Sequence, residues 1–206
     1  MIIFIKYSLQ FEGKVITMRR GRPAKRDIDK IDHQIIVELQ EDGRMSLVAL
    51  GNKVGLKHSS VRERLLRLIK ERTIKVQANI SLKKLGYSAA FVGIEAENIG
   101  KTLEDISRFE GCPRVLIIGT GSGDYNLFLI LVAKDFNTLR AFIEKNIRSL
   151  SGIRRISTSF GDIIHPSFVP LPLEPKDIMC KPECDTCEMY ALLKLCTGCP
   201  LVIALD

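Results

Sequence analysis

Apolar residues recur at steps of three and four through Ile28, Ile31, Ile35 and Leu39, the spacing of one helix face. Asp27 and Asp29 are both suited to cap this first helix, and Gly43 ends it. Ser46 is placed to cap a second, short helix bearing Leu47, Leu50 and Val54, after which Gly55-Leu56 makes a tight turn. A third helix is expected from His58 to Glu71 with Val61, Leu65 and Leu68 on one side. Three short helices with only about three residues between the second and third match a helix-turn-helix. The alternating stretch Ile74-Lys75-Val76-Gln77-Ala78 reads as a short strand or wing.

Beyond Gly86 the pattern changes. Strands are expected over 89–96, 115–118, 125–132 and 153–160, with helices over 101–109 and from Asp135 to Ile147. The order strand, helix, strand, strand, helix, strand is the split βαβ, ferredoxin-like pattern. The fold class is therefore α+β: an N-terminal winged helix-turn-helix over 27–79 and a ferredoxin-like βαββαβ domain over 86–165, which the resemblance described below makes a ligand-binding and dimerisation domain. Both helices would cover one sheet face. The other face, for which Val92, Ile94, Leu129 and Leu131 are the candidates, would need a second copy to cover it, so at least a dimer is expected. Residues 1–26 read as an extension and basic arm, with Met18 as an alternative start; 176–206 read as a cysteine-rich tail.

The formal charge of +7 is uneven. Residues 19–77 hold 15 basic and 8 acidic residues, while the rest of the chain is balanced. That excess fits a polyanion partner, with released counterions driving binding; a solvated basic surface is the plainer alternative. From Lys57 to Lys75 there are seven basic residues and two acidic ones. Ser59, Ser60, Arg62, Glu63 and Arg67 are assigned to the major groove of double-stranded DNA, since polar residues near a helix N-terminus meet base edges there. Arg64, Lys57 and Arg44 are assigned to the phosphates; His58 touches DNA or simply starts its helix. No apolar run reaches the roughly 20 residues of a membrane span, no secretory signal is evident, and the cytoplasm is the expected compartment.

These residues carry a resemblance. Ile28-Asp29-Lys30-Ile31-Asp32 with Ile35, Ile36 and Leu39, the turn Asp42-Gly43-Arg44-Met45-Ser46, and Val54-Gly55-Leu56 followed by Val61, Arg64, Leu65, Arg67 and Leu68 are similar to the Lrp/AsnC (feast/famine) family of prokaryotic transcription regulators. The resemblance covers residues 27 to about 162. It implies a sequence-specific DNA-binding regulator whose ligand domain pairs through its sheet into dimers, with octamers as a larger assembly, and an amino acid as effector. Two departures stand out: Lys57 where the family usually has a capping Ser, and Arg72 where it often has Gly.

Gly119, Gly121 and Gly123 do not make a nucleotide loop, because a strand rather than a helix follows them; positive φ at two of the three would explain them as hairpin glycines. The resemblance implies instead that Gly121, Gly123 and Asp124 bind an effector, with Thr158, Ser159 and Phe160 lining the same region.

Cys184, Cys187, Cys196 and Cys199 form two C-x-x-C pairs separated by eight residues, a spacing that suits tetrahedral zinc. Cys180 is left over, so an iron–sulfur cluster remains an alternative, as do disulfides. Isolated Cys112 reads as packing. His33, His58 and His165 are scattered, no catalytic set emerges, and an enzyme is not expected. The rival functions are a sensing or protein-interaction module that does not bind DNA, and a metal- or redox-responsive regulator acting through the tail.

Overall fold

The computed structural model describes residues 27–173 and 184–198. The expected N-terminal arm, Cys180 and Cys199 lie outside the described residues. The chain divides into two compact units, 1–78 and 79–206.

The first unit is three helices: α1 (Lys30–Glu41), α2 (Leu47–Val54) and α3 (His58–Lys70). Asp29, not Asp27, caps α1. Its carboxylate accepts the Asp32 N–H at 2.8 Å, and the Asp32 carboxylate accepts the Asp29 N–H at 3.3 Å, a reciprocal capping box. Ser46 caps α2 through the Ala49 N–H at 3.1 Å. Gly55 closes α2 at φ 71°, where a side chain would be strained. Gly51 serves by its size: a Cβ there would lie 2.5 Å from the Leu56 carbonyl oxygen, so the turn could not fold back on α2. Ile35, Leu50, Val54, Val61 and Leu68 meet at the centre.

Asp32 is buried at the α1–α3 contact, 1% exposed. The Arg64 Nη1 donates to it at 2.8 Å and to Asp29 at 2.6 Å, and the Arg67 Nη2 donates to it at 2.5 Å. Burial alone would push the Asp32 carboxyl up; the bonds from Arg67, Arg64 and the Asp29 N–H outweigh it and hold the group below the ordinary carboxylate range.

α3 starts at Lys57 without a side-chain cap, as a lysine cannot accept from the free N–H groups. It ends through Arg72, held at φ 56°. Residues 74–78 form no strand, so the expected wing is absent: among the described residues this extended stretch has no strand to pair with, and Ile74 instead packs on the helical core.

The second unit carries β1 (Ser88–Ala96), α4 (Ile99–Ile106, with a tight extra turn to Phe109), β2 (Val115–Thr120), β3 (Leu127–Ala133), α5 (Phe136–Phe142, continued by wider turns through Ile147) and β4 (Ile153–Gly161). The sheet is antiparallel with strand order β2-β3-β1-β4. Asn98 and Asp135 cap α4 and α5. Among the described residues, a last short helix, Glu188–Leu192, lies beyond the sheet in the chain.

The assignment of sheet faces is reversed from the expectation. Val92, Ile94, Leu129 and Leu131 are buried in one core with Ile106, Phe109, Leu139 and Ile147 from the helix-bearing segments. The opposite face carries Phe91, Phe128 and Ile117, all exposed, and half-buried Ile130. Ile117, Ile130 and Phe91 sit in register across three strands. Strand alternation separates two faces but cannot say which is covered when both are apolar. One end of the second face is already closed, where Ala89 and Val132 pack with Leu82, Val169 and Leu171, and Ile80 pairs with Val169.

The Asp32 contact generates a prediction. Its depressed folded-state pKa contributes stability that is complete above the unfolded value, about 3.9, and is lost as pH falls through the lower folded value. Asp32→Asn should cost the helical unit about 2–3 kcal/mol at neutral pH, because two guanidinium groups lose their buried counter-charge. Hydrogen-exchange mass spectrometry of the full chain should show protection in α1 and α3 falling together. The same protection should fall in the parent protein below about pH 4. Unaltered exchange in Asp32→Asn would refute the role of this contact.

Candidate nucleic-acid interface

The Asp32 contact fixes the rotation of α3. Because Arg64 and Arg67 point toward α1, neither lies at the centre of the exposed side. This corrects the expected groove position of Arg67: its side chain is 23% exposed and also faces Glu71 at 3.7 Å. The expected phosphate role of Arg64 meets the same competition from Asp29 and Asp32. The sequence signal was available, since Asp29 and Asp32 lie on the α1 turn facing these arginines, but a single-helix projection treats each helix alone.

The side of α3 turned to solvent is formed by Ser59, Arg62, Glu63, Leu66 and Lys70, flanked by His58 and Ile69. Leu66, 52% exposed, was not expected at this surface; its place follows once Arg64 and Arg67 are assigned to α1. Ser60 is half-buried at the edge, and Lys57 and Arg44 are exposed. Among the described residues, Lys57, Arg62 and Lys70 have no carboxylate partner, so their charges are available to an external anion. Beside them an open groove of about 560 Å³ runs between α2 and the start of α3, with Val48, Asn52, Lys57 and Ser59 on its walls.

The effector candidates fall into separate places within one chain. Gly121, Gly123 and Asp124 are exposed in the β2–β3 hairpin. Only Gly123 of the three turn glycines has a positive φ, 125°; at Gly121 a Cβ would come within 2.8 Å of the Phe128 ring, which would have to shift. Thr158 and Phe160 pair with Val92 and Ala90, on the helix side of β4 and toward the end of the sheet opposite the hairpin. Ser159 pairs with Phe91 on the other face. Phe160 stacks edge-on against Phe136 at 5.7 Å, and the buried Thr158 hydroxyl has no hydrogen-bond partner among the described residues.

Of the cysteines, Cys184 is buried and Cys187 and Cys196 are half-buried. Burial raises the Cys187 thiol, but the N–H groups of Tyr190 and Met189 and the Lys145 ammonium outweigh it and bring the thiol below its ordinary range. Among the described residues, no three His, Cys, Asp or Glu side chains are gathered as a metal-ligand set. Cys112 is buried, consistent with packing. No described helix is long and apolar enough to cross a membrane.

Residues 28–69 match the model of the AsnC-type helix-turn-helix domain, and residues 89–161 match that of the Lrp/AsnC ligand binding domain. An uncharacterized HTH-type transcriptional regulator of Pyrococcus horikoshii is 34% identical over 149 residues, covering 70% of this chain and 91% of that protein. Another uncharacterized HTH-type regulator, from Pyrococcus abyssi, is 34% identical over 146 residues, covering 69% of this chain and 90% of its own length. Among solved structures, a transcriptional regulator of Neisseria meningitidis in complex with L-Met superposes with a TM-score of 0.59 at 26% identity, covering 70% of this chain and 96% of that one. The chain thus belongs to the Lrp/AsnC family of helix-turn-helix transcription regulators, which are DNA-binding proteins and not enzymes.

Proposed function

We propose that this regulator recognises its operator by laying α3 in the major groove, with Ser59, Arg62, Glu63 and Leu66 at base edges and Lys57, His58, Lys70 and Arg44 at phosphates. The observation that carries this reading is the exposed side of α3: a polar and basic strip whose cations are not spent inside the protein. Arginine offers a paired donor to guanine, glutamate accepts from the cytosine amino group, and a leucine fits a thymine methyl. Arg64 and Arg67 then support the reader and do not read.

We also take the stripe of Ile117, Ile130, Phe91 and Phe128 as the surface through which two copies pair. An exposed apolar strip of this kind on a sheet is costly in water and self-complementary across a two-fold axis. Assembly of dimers into an octamer is the larger state implied by the family resemblance.

The effector is read as an amino acid. The support is the Neisseria meningitidis regulator solved with L-Met, together with exposed turn amides at Gly121 and Gly123 that suit a carboxylate and Asp124, which suits an ammonium group. Thr158, Ser159 and Phe160 stand far from that hairpin within one chain, so a site drawing on both groups requires a second copy. A zinc-binding cysteine tail, with an iron–sulfur cluster as the alternative, is the remaining reading, supported by the spacing of the cysteines along the chain.

In fluorescence anisotropy with duplexes tiled across the chain's own promoter region, Lys57→Ala should weaken binding to all sequences and reduce the salt slope by about one. Arg62→Ala should instead cost roughly 1–3 kcal/mol and relax preference at one position, whereas Arg67→Ala should lower helical-unit stability without relaxing preference in the folded fraction. Absence of duplex binding even at low salt would overturn the DNA reading. Phe128→Asp should shift the sedimentation-equilibrium mass toward a monomer; an unchanged mass rules out pairing through this face. A thermal-shift screen of the twenty amino acids should find at least one that stabilises the parent and not Asp124→Ala, and a screen with no shift would remove the effector.

A further inference from the structure

The open face of the sheet is built in rows. Ile117, Ile130, Phe91 and Ser159 stand in register in one row, and Gly119, Phe128, Gly93 and Ser157 in the next. Every residue of both rows is uncharged. The second row sets one exposed ring, Phe128, between two glycines. Those glycines differ. At Gly93 the Tyr125 ring takes up the space of a side chain, since a Cβ would stand 3.1 Å from it. At Gly119 a Cβ would meet no atom within 4 Å. Phe128 is its cross-strand neighbour, and an aromatic ring in that place is the natural cover for a glycine on an edge strand. The ring leans the other way, to 2.8 Å from where a Cβ of Gly121 would stand.

Among the described residues nothing calls for a glycine at 119. It is not one of the glycines held at positive φ, and a side chain would have room within the chain. A glycine inside a strand weakens it, and where internal packing does not require one it marks the close approach of another surface. The hollow lies beside Ile117 and Phe128, both exposed, so its occupant is apolar. A second copy carries such an occupant, because one face holds both the hollow and the protruding row of Ile117, Ile130 and Phe91. Across a two-fold axis each copy gives and receives the same contact. The formal charge of +7 opposes self-association, and these uncharged rows let two copies approach without like charges meeting.

We propose that Gly119 is the seat of the pairing surface: an apolar side chain from the protruding row of a second copy fills the hollow above it, and the missing side chain at 119 sets how closely the two sheets approach. This rests on the reading of the stripe as the pairing surface and adds the residue that determines its fit.

The test is sedimentation equilibrium of the full chain over a dilution series. Valine suits a strand, so Gly119→Val should keep the far-UV circular dichroism of the parent. Its self-association should weaken roughly tenfold or more, because the added methyl groups overpack only the contact between copies. Gly119→Ala should keep the same spectrum and weaken association roughly threefold; it decides the matter if the valine variant does not fold. Parent-like association in the folded variant would overturn the seat. So would a parent-like mass together with loss of the amino acid thermal shift, since the hollow would then belong to the effector. Phe128→Asp in the same series separates the seat from the pairing reading. If Phe128→Asp lowers the mass and Gly119→Val does not, pairing through this face stands and the seat falls. If neither lowers it, the pairing reading falls and the seat with it.

Discussion

One buried carboxylate organises the DNA-binding unit. Asp32 belongs to the capping box that starts α1 and at the same time receives Arg64 and Arg67 from α3. Helix nucleation and the α1–α3 contact therefore share a single side chain. A helix rolling on an apolar core has little to stop it, because leucines and valines pack in more than one rotation. Two directional, charge-assisted bonds to a group that cannot move without leaving water-excluded space remove that freedom. The surface offered by α3 follows from that constraint: Arg62 and Leu66 face outward because Arg64 and Arg67 face inward.

The sheet unit poses a different problem. Both of its faces are apolar, and among the described residues helices cover only one. The helix side takes the interdigitating aliphatic residues of β1 and β3, while the second face is half closed by Leu82, Val169 and Leu171 and half left as the stripe of Phe91, Ile117 and Phe128. The division explains why the effector candidates do not meet. Strand alternation sends Ser159 to one face and its neighbours Thr158 and Phe160 to the other, and the sheet's length separates them from the β2–β3 hairpin.

Arg114 and Lys145 come from separate elements of the sheet unit, one preceding β2 and one extending α5, and each meets the C-terminal segment, Arg114 at the Gly198 carbonyl and Lys145 at Cys187. Neither cation is notable in the chain alone, since lysine and arginine are common throughout it.

Much of this was legible in the sequence because it depends on neighbours only a few residues apart. Helix periodicity, the Ser46 and Asp135 caps, the Gly55 turn and the order of strands and helices are local, and each is set by backbone and side-chain preferences that the chain carries with it. The cysteine pairs are legible for the same reason, as spacing along the chain. What the sequence could not decide depends on partners tens of residues away. Burial of Asp32 drew Arg67, expected in the groove, and Arg64, expected at the phosphates, onto α1, and left Leu66 at the surface. Packing of α4 and α5 decided which of two apolar strand faces became the core, and among the described residues the stretch 74–78 meets no strand to complete a wing. In each case one-dimensional periodicity gives relative orientation within an element, while absolute orientation is set by what the element meets in space.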